Sequence, residues 1–382
     1  MGAGKKLDFR KLETSINLYT GGLSSNHHLS EHYADLKVLK QGLLLSSRCL
    51  ERNSEKMFEL WSEIFNHAFT NIDDEEMKAR LGNLINMSAT DSMNGLAYSG
   101  HHYAMSHAAS QLYSDLPATK IRELEGGIAS LRAVNKLALS IGSGNDQVLD
   151  EILADLSSMA RTVLNAQNVE SVSLSSTEAH MKDLFSNQAK AFLNSLPQNA
   201  GDFKTKESIF EVTPTKTFVA TPFPVHFCGA AIPTVPYEHP DSAPLRVLAK
   251  LISAKYLHPE IREKGGAYGG GATSNPSSGL FSFYSYRDPN CQKTLDSFHG
   301  SLDWIMSNNF SERDVQEAKL GIFQAVDKPI MPGDRGLRGW ISGITNEMFQ
   351  QHRDRIRYVT RDDLLRVTAQ YLNSEDRNIG IS

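Results

Sequence analysis

The sequence predicts an α+β protein of two domains, each an antiparallel-rich sheet backed by helices. The chain has 382 residues, 40% of them hydrophobic, which suits two domains with ordinary cores. Apolar residues recur at helical spacing in some segments and alternate as in strands in others. The turn-rich stretch from Pro197 to Asp202 separates two such series. We therefore predict a first domain at 1–197, a linker at 198–212 and a second domain at 213–382.

The first domain is predicted to mix helices with strands. Its clearest helix follows Asn53, a residue that can cap a helix, and carries its apolar residues on one face. The predicted helices are Leu7 to Tyr19 running into a strand, the segment carrying Met57, Leu60, Trp61, Ile64 and Phe65, Asp74 to about Ala97, His101 to Leu112, and the segment from Ser176 to Leu196. The predicted strands are Gly42 to Ser47 and Val169 to Leu174.

The second domain has the same mixture of elements. Asp241, Ser311 and Thr360 stand where side chains cap helix starts. The predicted strands are Thr215 to Ala220, Val225 to Ile232, Gly279 to Tyr286 and Arg377 to Ile381. The predicted helices follow Asp241 as far as Leu257, Ser311 as far as Ile322, and Thr360 as far as Tyr371.

Composition argues against several classes of protein. The net charge is −5 and the charges are spread along the chain, so no basic block predicts binding to nucleic acid. No run of 18 apolar residues predicts a membrane span. The three cysteines lie far apart, which argues against a disulfide framework and against a cysteine zinc site.

The segment from Ile261 to Gly271 carries the strongest functional signal. Arg262 and Tyr268 stand six residues apart, across Gly265 and Gly266, at the end of a helical pattern. Arginine is always charged and offers five N–H donors, and tyrosine offers an O–H donor on a stiff ring. Two such donors suit an oxygen that gains negative charge, such as a polarised peptide carbonyl.

The glycines of this segment favour contact with a peptide backbone. Gly265, Gly266 and Gly269 lack side chains, so another chain can approach closely. Lys264 precedes the glycines, and no Walker pattern is present, which argues against a phosphate loop. Without further information, an arginine near a helix end and a tyrosine at a strand start also suit structural roles.

A second pattern, His28-Leu29-Ser30-Glu31-His32, fits the H-x-x-E-H signature of a zinc peptidase. On a helix, His28 and His32 would share a face, and Glu31 could act as general base. The sequence before it, TGGLSSN, instead predicts a loop between strands. We therefore predict no metal site in this chain.

Several segments resemble the C-terminal half of the pitrilysin-type (inverzincin) metallopeptidases, in the branch that degrades cleaved targeting peptides. The similar segments are QGLLLSSRCLERN, TPFPVHFCGAAIPTVPY, HPEIREKGGAYGGG and GLFSFYSYRDPN, in the family's order. The resemblance implies a clam-shell enzyme of the pitrilysin and mitochondrial processing peptidase type. Its N-terminal half binds zinc, and its C-terminal half closes the chamber.

The resemblance also implies roles and partners. Arg262 and Tyr268 match the residues that hold the scissile carbonyl and stabilise the oxyanion, and Tyr286 would line the chamber. The implied partners are the N-terminal zinc-binding half and unfolded peptides, including amyloid-like ones, in the mitochondrial matrix. Zinc would bind the missing half, and this chain alone would be inactive. The family's third zinc ligand, a glutamate 75 to 85 residues after H-x-x-E-H, has no match near Tyr103 to Pro117.

Two alternatives remain at this point. The chain could be a self-contained zinc peptidase that uses His28, Glu31 and His32. It could also be a non-catalytic partner of a separate zinc-bearing chain.

Further polar residues are predicted to have structural roles. We expect His101, His102 and His107 on a polar helix face, His226 and Phe227 in the core and a strand, and Arg287 paired with Asp288 or a neighbour.

Overall fold

The computed structural model describes residues 7–70, 73–145, 147–176, 178, 181–198, 216–373 and 379–382. These residues form two compact units. The first unit draws its described residues from Met1–His28, Gly42–Asp91 and Ala133–Ile209, and the second from Leu29–Gln41, Ser92–Arg132 and Phe210–Ser382. The predicted linker 198–212 lies outside the described residues except for Gln198, so the predicted domain boundaries stay a prediction.

The helices and strands confirm the predicted α+β class. The helices are α1 Phe9–Tyr19, α2 Ser54–His67, α3 Glu75–Ser110, α4 Pro117–Gly126, α5 Ile128–Gly142, α6 Gln147–Val163, α7 Met181–Ser195, α8 Ser242–Ile252, α9 Gln292–Met306, α10 Glu312–Val326, α11 Leu337–Ser342, α12 Asn346–Tyr358 and α13 Arg361–Val367. The strands are β1 Leu23–Glu31, β2 Leu39–Ser47, β3 Gly229–Pro233, β4 Gly269–Asn275, β5 Leu280–Tyr286 and β6 Gly380–Ile381.

In the first unit, the apolar face of α2 forms the centre of a small core. Leu60, Trp61 and Phe65 are buried, as the helical spacing predicts. The Trp61 indole N–H donates to Ser47 Oγ at the end of β2 (3.0 Å). Asn53 precedes the helix, but its side chain makes no capping hydrogen bond.

The predicted strand from Val169 to Leu174 is wrong, because that segment has no regular structure. Val172 and Leu174 are each 42% exposed. Alternating apolar residues specify a strand only where one face is buried against a core, and this segment has no buried face. The helix that precedes β1 also runs through Tyr19 without passing into a strand.

The second unit is built on a four-stranded sheet in the order β4-β5-β3-β6. The pairs β4–β5, β5–β3 and β3–β6 are all antiparallel. Phe281 and Phe283 of β5 and the apolar side of α8 are fully buried in the main core. The predicted strand Gly279 to Tyr286 is thereby confirmed within one residue.

The other strand predictions for this unit are only partly met. Val225 to Ile232 is shortened to β3, preceded by an isolated bridge between His226 and Asp288. Thr217 to Ala220 has no regular structure, and Thr215 lies outside the described residues. Proline lacks the N–H that a sheet requires, so Pro222 and Pro224 keep strand pairing from spreading through this segment.

Helix caps are predicted with mixed success. Ser311 and Thr360 each form a capping box, with Asp314 and Asp363 respectively. Asp241 stands at the start of α8 but uses its carboxylate differently, accepting from Arg366 Nη2 (2.7 Å) and Tyr371 Oη (2.8 Å). The hydrogen bond from Arg366 lowers the pKa of Asp241.

A close backbone approach places α3 against the sheet of the second unit. A Cβ atom on Gly229 would lie 2.5 Å from Ala104 C of α3. Only glycine fits at this distance, so the C-terminal part of α3, after a kink at Ser99, can pack directly on β3. No helix among the described residues is long and apolar enough to cross a membrane.

A buried histidine in the second unit predicts loss of stability in acid. His352 stacks on Tyr237 at 4.7 Å and is 2% exposed. Burial, with smaller effects of Arg246 and Arg355, lowers its pKa to about 4. The unfolded chain therefore binds a proton below pH about 6.5 that the folded chain resists until pH about 4. We expect the free energy of unfolding to fall by about 2 kcal/mol between pH 7 and pH 5 from this residue alone.

Urea unfolding of the unaltered chain and of His352→Phe, at pH 7 and pH 5, measures this effect. The variant should lose less stability on acidification than the unaltered chain does. An equal loss in the two proteins would contradict the assignment.

Candidate functional site

The predicted Arg–Tyr segment begins at a helix that continues directly from α8. Residues Ser253–Lys264 form a wide helix with π-type hydrogen bonding. The helix ends in a turn in which Gly266 N donates to Arg262 O (3.0 Å) and Ala267 N donates to Ile261 O (3.1 Å). The chain then enters β4 at Gly269. Arg262 therefore stands at the last turn of the helix, and Tyr268 stands immediately before the strand.

Two of the glycines in this turn are required by geometry. A Cβ atom on Gly265 would lie 2.4 Å from Ile261 O, and Gly266 has a φ of +80°, a left-handed conformation that L side chains rarely adopt. Gly269 differs, because a Cβ there would meet nothing within 4 Å. The side-chain amide of Asn290 donates to Gly265 O (2.7 Å) and fixes the turn from a neighbouring segment.

Arg262 is exposed and is oriented from within its own helix. Its Nη1 donates to His258 Nε2, one turn earlier, at 3.1 Å. This contact uses an acceptor that histidine has only in its neutral form. The guanidinium is thus held at the surface next to the glycine turn.

Tyr268 projects its ring from the other side of the same turn. The residue is 68% exposed. Its ring meets the Tyr286 ring edge-to-face at 5.4 Å, and its backbone N–H donates to Tyr286 O (3.1 Å). Strand β5 therefore positions the phenol, which is available as a hydrogen-bond donor.

Behind Tyr268 lies an aromatic and histidine cluster that sequence reasoning missed. His101 of α3 packs on Tyr286 at 5.0 Å and on Tyr284 at 5.4 Å. Burial, and then the neighbouring His102, lower the pKa of His101 to about 4. A neutral imidazole against two phenol rings suits a packing role, so His101 supports the strand that holds Tyr268.

The three predicted surface histidines of α3 therefore have different environments. His101 packs on β5, and His102 stacks on His101 at 4.1 Å. His107 Nδ1 lies 3.1 Å from Glu123 Oε1 of α4, a carboxylate with a side chain 2% exposed. The prediction of one polar helix face is wrong, because α3 packs on the sheet along its C-terminal part.

Arg287, after β5, takes an unusual backbone conformation with a φ of +48°. Its guanidinium lies over Tyr98 and Tyr286, at 5.5 and 5.4 Å from the ring centroids. Asp288 instead accepts from Thr294 Oγ1 (2.6 Å) and Asn290 N (2.8 Å). The expected pairing of Arg287 with Asp288 is thus absent from the described contacts. The arginine joins the aromatic cluster, and the aspartate holds the start of α9.

His226 and Phe227 occupy structural positions, as predicted. The backbone of His226 exchanges hydrogen bonds with that of Asp288 (2.8 and 2.9 Å). A Cβ on Gly100 would lie 2.5 Å from the Phe227 ring, which shows how closely α3 covers this aromatic residue.

The H-x-x-E-H segment lies in strand β1 and the residue after it, which corrects the predicted loop. Four residues of strand span about 13 Å, so His28 and His32 are not brought together as they would be on a helix. Glu31 is 6% exposed, and Arg122 Nη1 and Nη2 donate to its two oxygens at 2.6 Å each. His32 Nδ1 accepts from Ala34 N (3.3 Å). This segment does not fit the zinc arrangement that the pattern suggests.

The rest of the described chain offers no replacement for such a site. No group of three or more histidine, cysteine, aspartate or glutamate side chains arranged to hold a metal occurs among the described residues.

Two family models match the chain. One, for the region associated with peptidases of family M16, subfamily C, matches residues 1–137. The other, described as "PreP C-terminal domain", matches residues 235–379. The second match contains the whole Arg–Tyr segment, and together the two matches cover most of the chain.

Curated relatives agree with these models. "Presequence protease, mitochondrial" of Danio rerio is 38% identical over 405 positions, covering 100% of this chain and 38% of the relative. The protein of the same name from Yarrowia lipolytica is 37% identical and covers 95% of this chain and 35% of its own length. This chain spans little more than a third of the relatives it matches, each of which is one longer chain.

Solved structures show the same fold. A protease from Helicobacter pylori superposes with a TM-score of 0.61, at 13% identity, over 99% of this chain and 84% of that one. A peptidase M16 inactive domain from Pseudomonas fluorescens gives a TM-score of 0.57 at 13% identity, over 100% and 84% of the two chains.

The names of the curated relatives place this family in the mitochondrion. Both family models and the curated relatives agree in order and in coverage along this chain. The chain belongs to the presequence protease family of M16 peptidases and matches their C-terminal part.

Proposed function

We propose that this chain is the C-terminal, non-zinc half of a zinc metalloendopeptidase that degrades unstructured peptides, such as cleaved targeting peptides and amyloid-like peptides. The family match supports this proposal, and so does the strand conformation of the H-x-x-E-H segment. Zinc and the general base belong to the N-terminal half, which is the main partner of this chain. The chain itself closes the chamber and contacts the substrate.

The observation that carries the proposal is the pair of exposed donors on the two sides of the Gly265–Gly266 turn. Arg262 leaves the end of the helix, and Tyr268 leaves the start of β4. Both side chains are exposed, and each is oriented by a neighbour. Their proposed role is to hold the scissile carbonyl and to stabilise the oxyanion that forms on it.

Strand β4 offers a place for the rest of the peptide. It lies at the edge of the sheet as the described residues form it, since β5 is its one strand partner there. An edge strand presents unpaired backbone groups that an extended peptide can bind. Gly269 starts this edge without a side chain, and Tyr286 pairs with it in the sheet register. These residues, with Gly265 and Gly266, form the proposed peptide contact.

Complementation tests the proposal. We expect the chain alone to leave a fluorogenic peptide uncut, and a mixture with a separately prepared N-terminal zinc-binding half to cut it. Size-exclusion chromatography of the same mixture reports whether the two halves associate. Cleavage by this chain alone would contradict the proposal. Association without cleavage would instead favour a non-catalytic partner subunit.

The alternative of a self-contained zinc peptidase loses support from the environment of Glu31. A general base must reach a water molecule, whereas both oxygens of Glu31 accept hydrogen bonds from Arg122.

A further inference from the structure

Two cysteines far apart in sequence meet in the second unit. Cys228 Sγ and Cys291 Sγ lie 3.9 Å apart, and the two residues are separated by 63 positions. Both thiols are free. A disulfide bond is about 2 Å long, so the sulfurs need to approach by about 2 Å more. We propose that Cys228 and Cys291 are a peroxide-oxidisable dithiol that closes into an intramolecular disulfide.

The backbones on both sides are already fixed at the required separation. Cys228 pairs with Ser285 of β5, since Ser285 N donates to Cys228 O (2.9 Å) and Cys228 N donates to Ser285 Oγ (3.2 Å). Cys291 begins α9, and its carbonyl accepts from Thr294 N and Leu295 N, each at 3.1 Å. Rotation of the two side chains is therefore the movement that closes the bond.

The pair is also accessible to a small oxidant. Both cysteines line a cavity of about 370 Å³ in the second unit, together with Phe227, Leu295 and Ile381. Cys228 is 2% exposed, whereas Cys291 is half-buried. Hydrogen peroxide can thus reach Cys291 first.

The difference in environment assigns the two roles. Burial raises the pKa of Cys228 to about 12, so this residue remains a thiol at neutral pH. The Cys291 thiolate attacks one peroxide oxygen, the O–O bond breaks, and the products are a sulfenic acid and hydroxide, which becomes water. The Cys228 sulfur then attacks Cys291 Sγ, its proton leaves with the departing hydroxyl as a second water, and the disulfide forms. Two thiols are oxidised, and one peroxide is reduced.

The dithiol lies one residue from a contact to the Arg–Tyr segment. Asn290 precedes Cys291, and its side-chain amide donates to Gly265 O (2.7 Å). The proposed modification is nevertheless independent of the proposed peptidase role, because its chemistry requires only the two cysteines.

The test is oxidation of the complete chain with hydrogen peroxide, followed by alkylation, intact-mass analysis and peptide mapping without reductant. We expect the mass to fall by two hydrogen atoms, a peptide linking Cys228 to Cys291, and reversal by dithiothreitol. Cys49 should remain alkylated, and Cys49→Ser should behave as the unaltered chain does.

Variants test the order of events. In Cys228→Ser, the sulfenic acid on Cys291 has no partner and should be trapped by dimedone, whereas Cys291→Ser should not react at Cys228. Circular dichroism shows that each variant is folded, and the map of the unaltered chain needs no variant. Three alkylated thiols after peroxide treatment, or a disulfide that includes Cys49, would overturn the proposal.

Discussion

Replacing Tyr268 by Phe in the complete enzyme is expected to lower kcat for peptide cleavage by about 100- to 1,000-fold, with little change in KM. The substitution removes one O–H donor, and loss of a single oxyanion donor has this cost. The ring should stay in place, because its edge-to-face contact with Tyr286 and its backbone hydrogen bond do not involve the hydroxyl. A loss in kcat alone indicates an interaction that exists only in the transition state.

Steady-state kinetics on a fluorogenic peptide measures this effect, with Tyr358→Phe as the matched control. Tyr358 is also an exposed tyrosine of the second unit, at 71% exposure, and its variant should keep full activity. Arg262→Ala should lose activity to a similar extent. The double variant should lose less than the product of the two single losses, because both donors serve the same oxygen. A Tyr268→Phe enzyme with unchanged kcat would contradict the proposed role.

Replacing Arg122 by Ala is expected to lower the free energy of unfolding by about 3 kcal/mol, at the lower end of the range for breaking a buried ion pair. The substitution leaves Glu31, with a side chain 2% exposed, as an unpaired buried charge. Glu31→Gln should cost less, because Arg122 is 36% exposed and water can solvate it. This asymmetry distinguishes a structural ion pair from a catalytic glutamate.

The matched control for Arg122 is Arg353→Ala. Arg353 also binds a carboxylate through two hydrogen bonds, to Asp327 at 2.8 Å each. That pair is exposed, at 37% and 43%, so its loss should cost less than about 1 kcal/mol. Chemical unfolding monitored by circular dichroism measures all three variants. Equal losses for Arg122→Ala and Arg353→Ala would contradict the buried-pair assignment.

The elements that could be predicted are those set by local chemistry. Ser311 and Thr360 cap helices because their side chains bond backbone N–H groups three residues away. The glycine turn between Arg262 and Tyr268 is also local, because Gly265 and Gly266 meet conditions set by residues within the same segment.

The features that could not be predicted depend on contacts between distant segments. His101 supports Tyr286 across 185 positions of sequence, and no periodicity in either segment indicates that contact. The H-x-x-E-H pattern shows the opposite error, since its residues suit zinc only on a helix. The pairing of Glu31 with Arg122, 91 positions away, gives this glutamate a structural partner.

The central claim is that this chain supplies substrate contacts and no zinc. Its most direct test is the zinc content of the purified chain after chelator stripping and zinc reloading, with a peptide cleavage assay on the same sample. The account predicts no stoichiometric zinc and no cleavage. One zinc per chain, lost together with cleavage in His28→Ala, would contradict it and would make the H-x-x-E-H segment an active site.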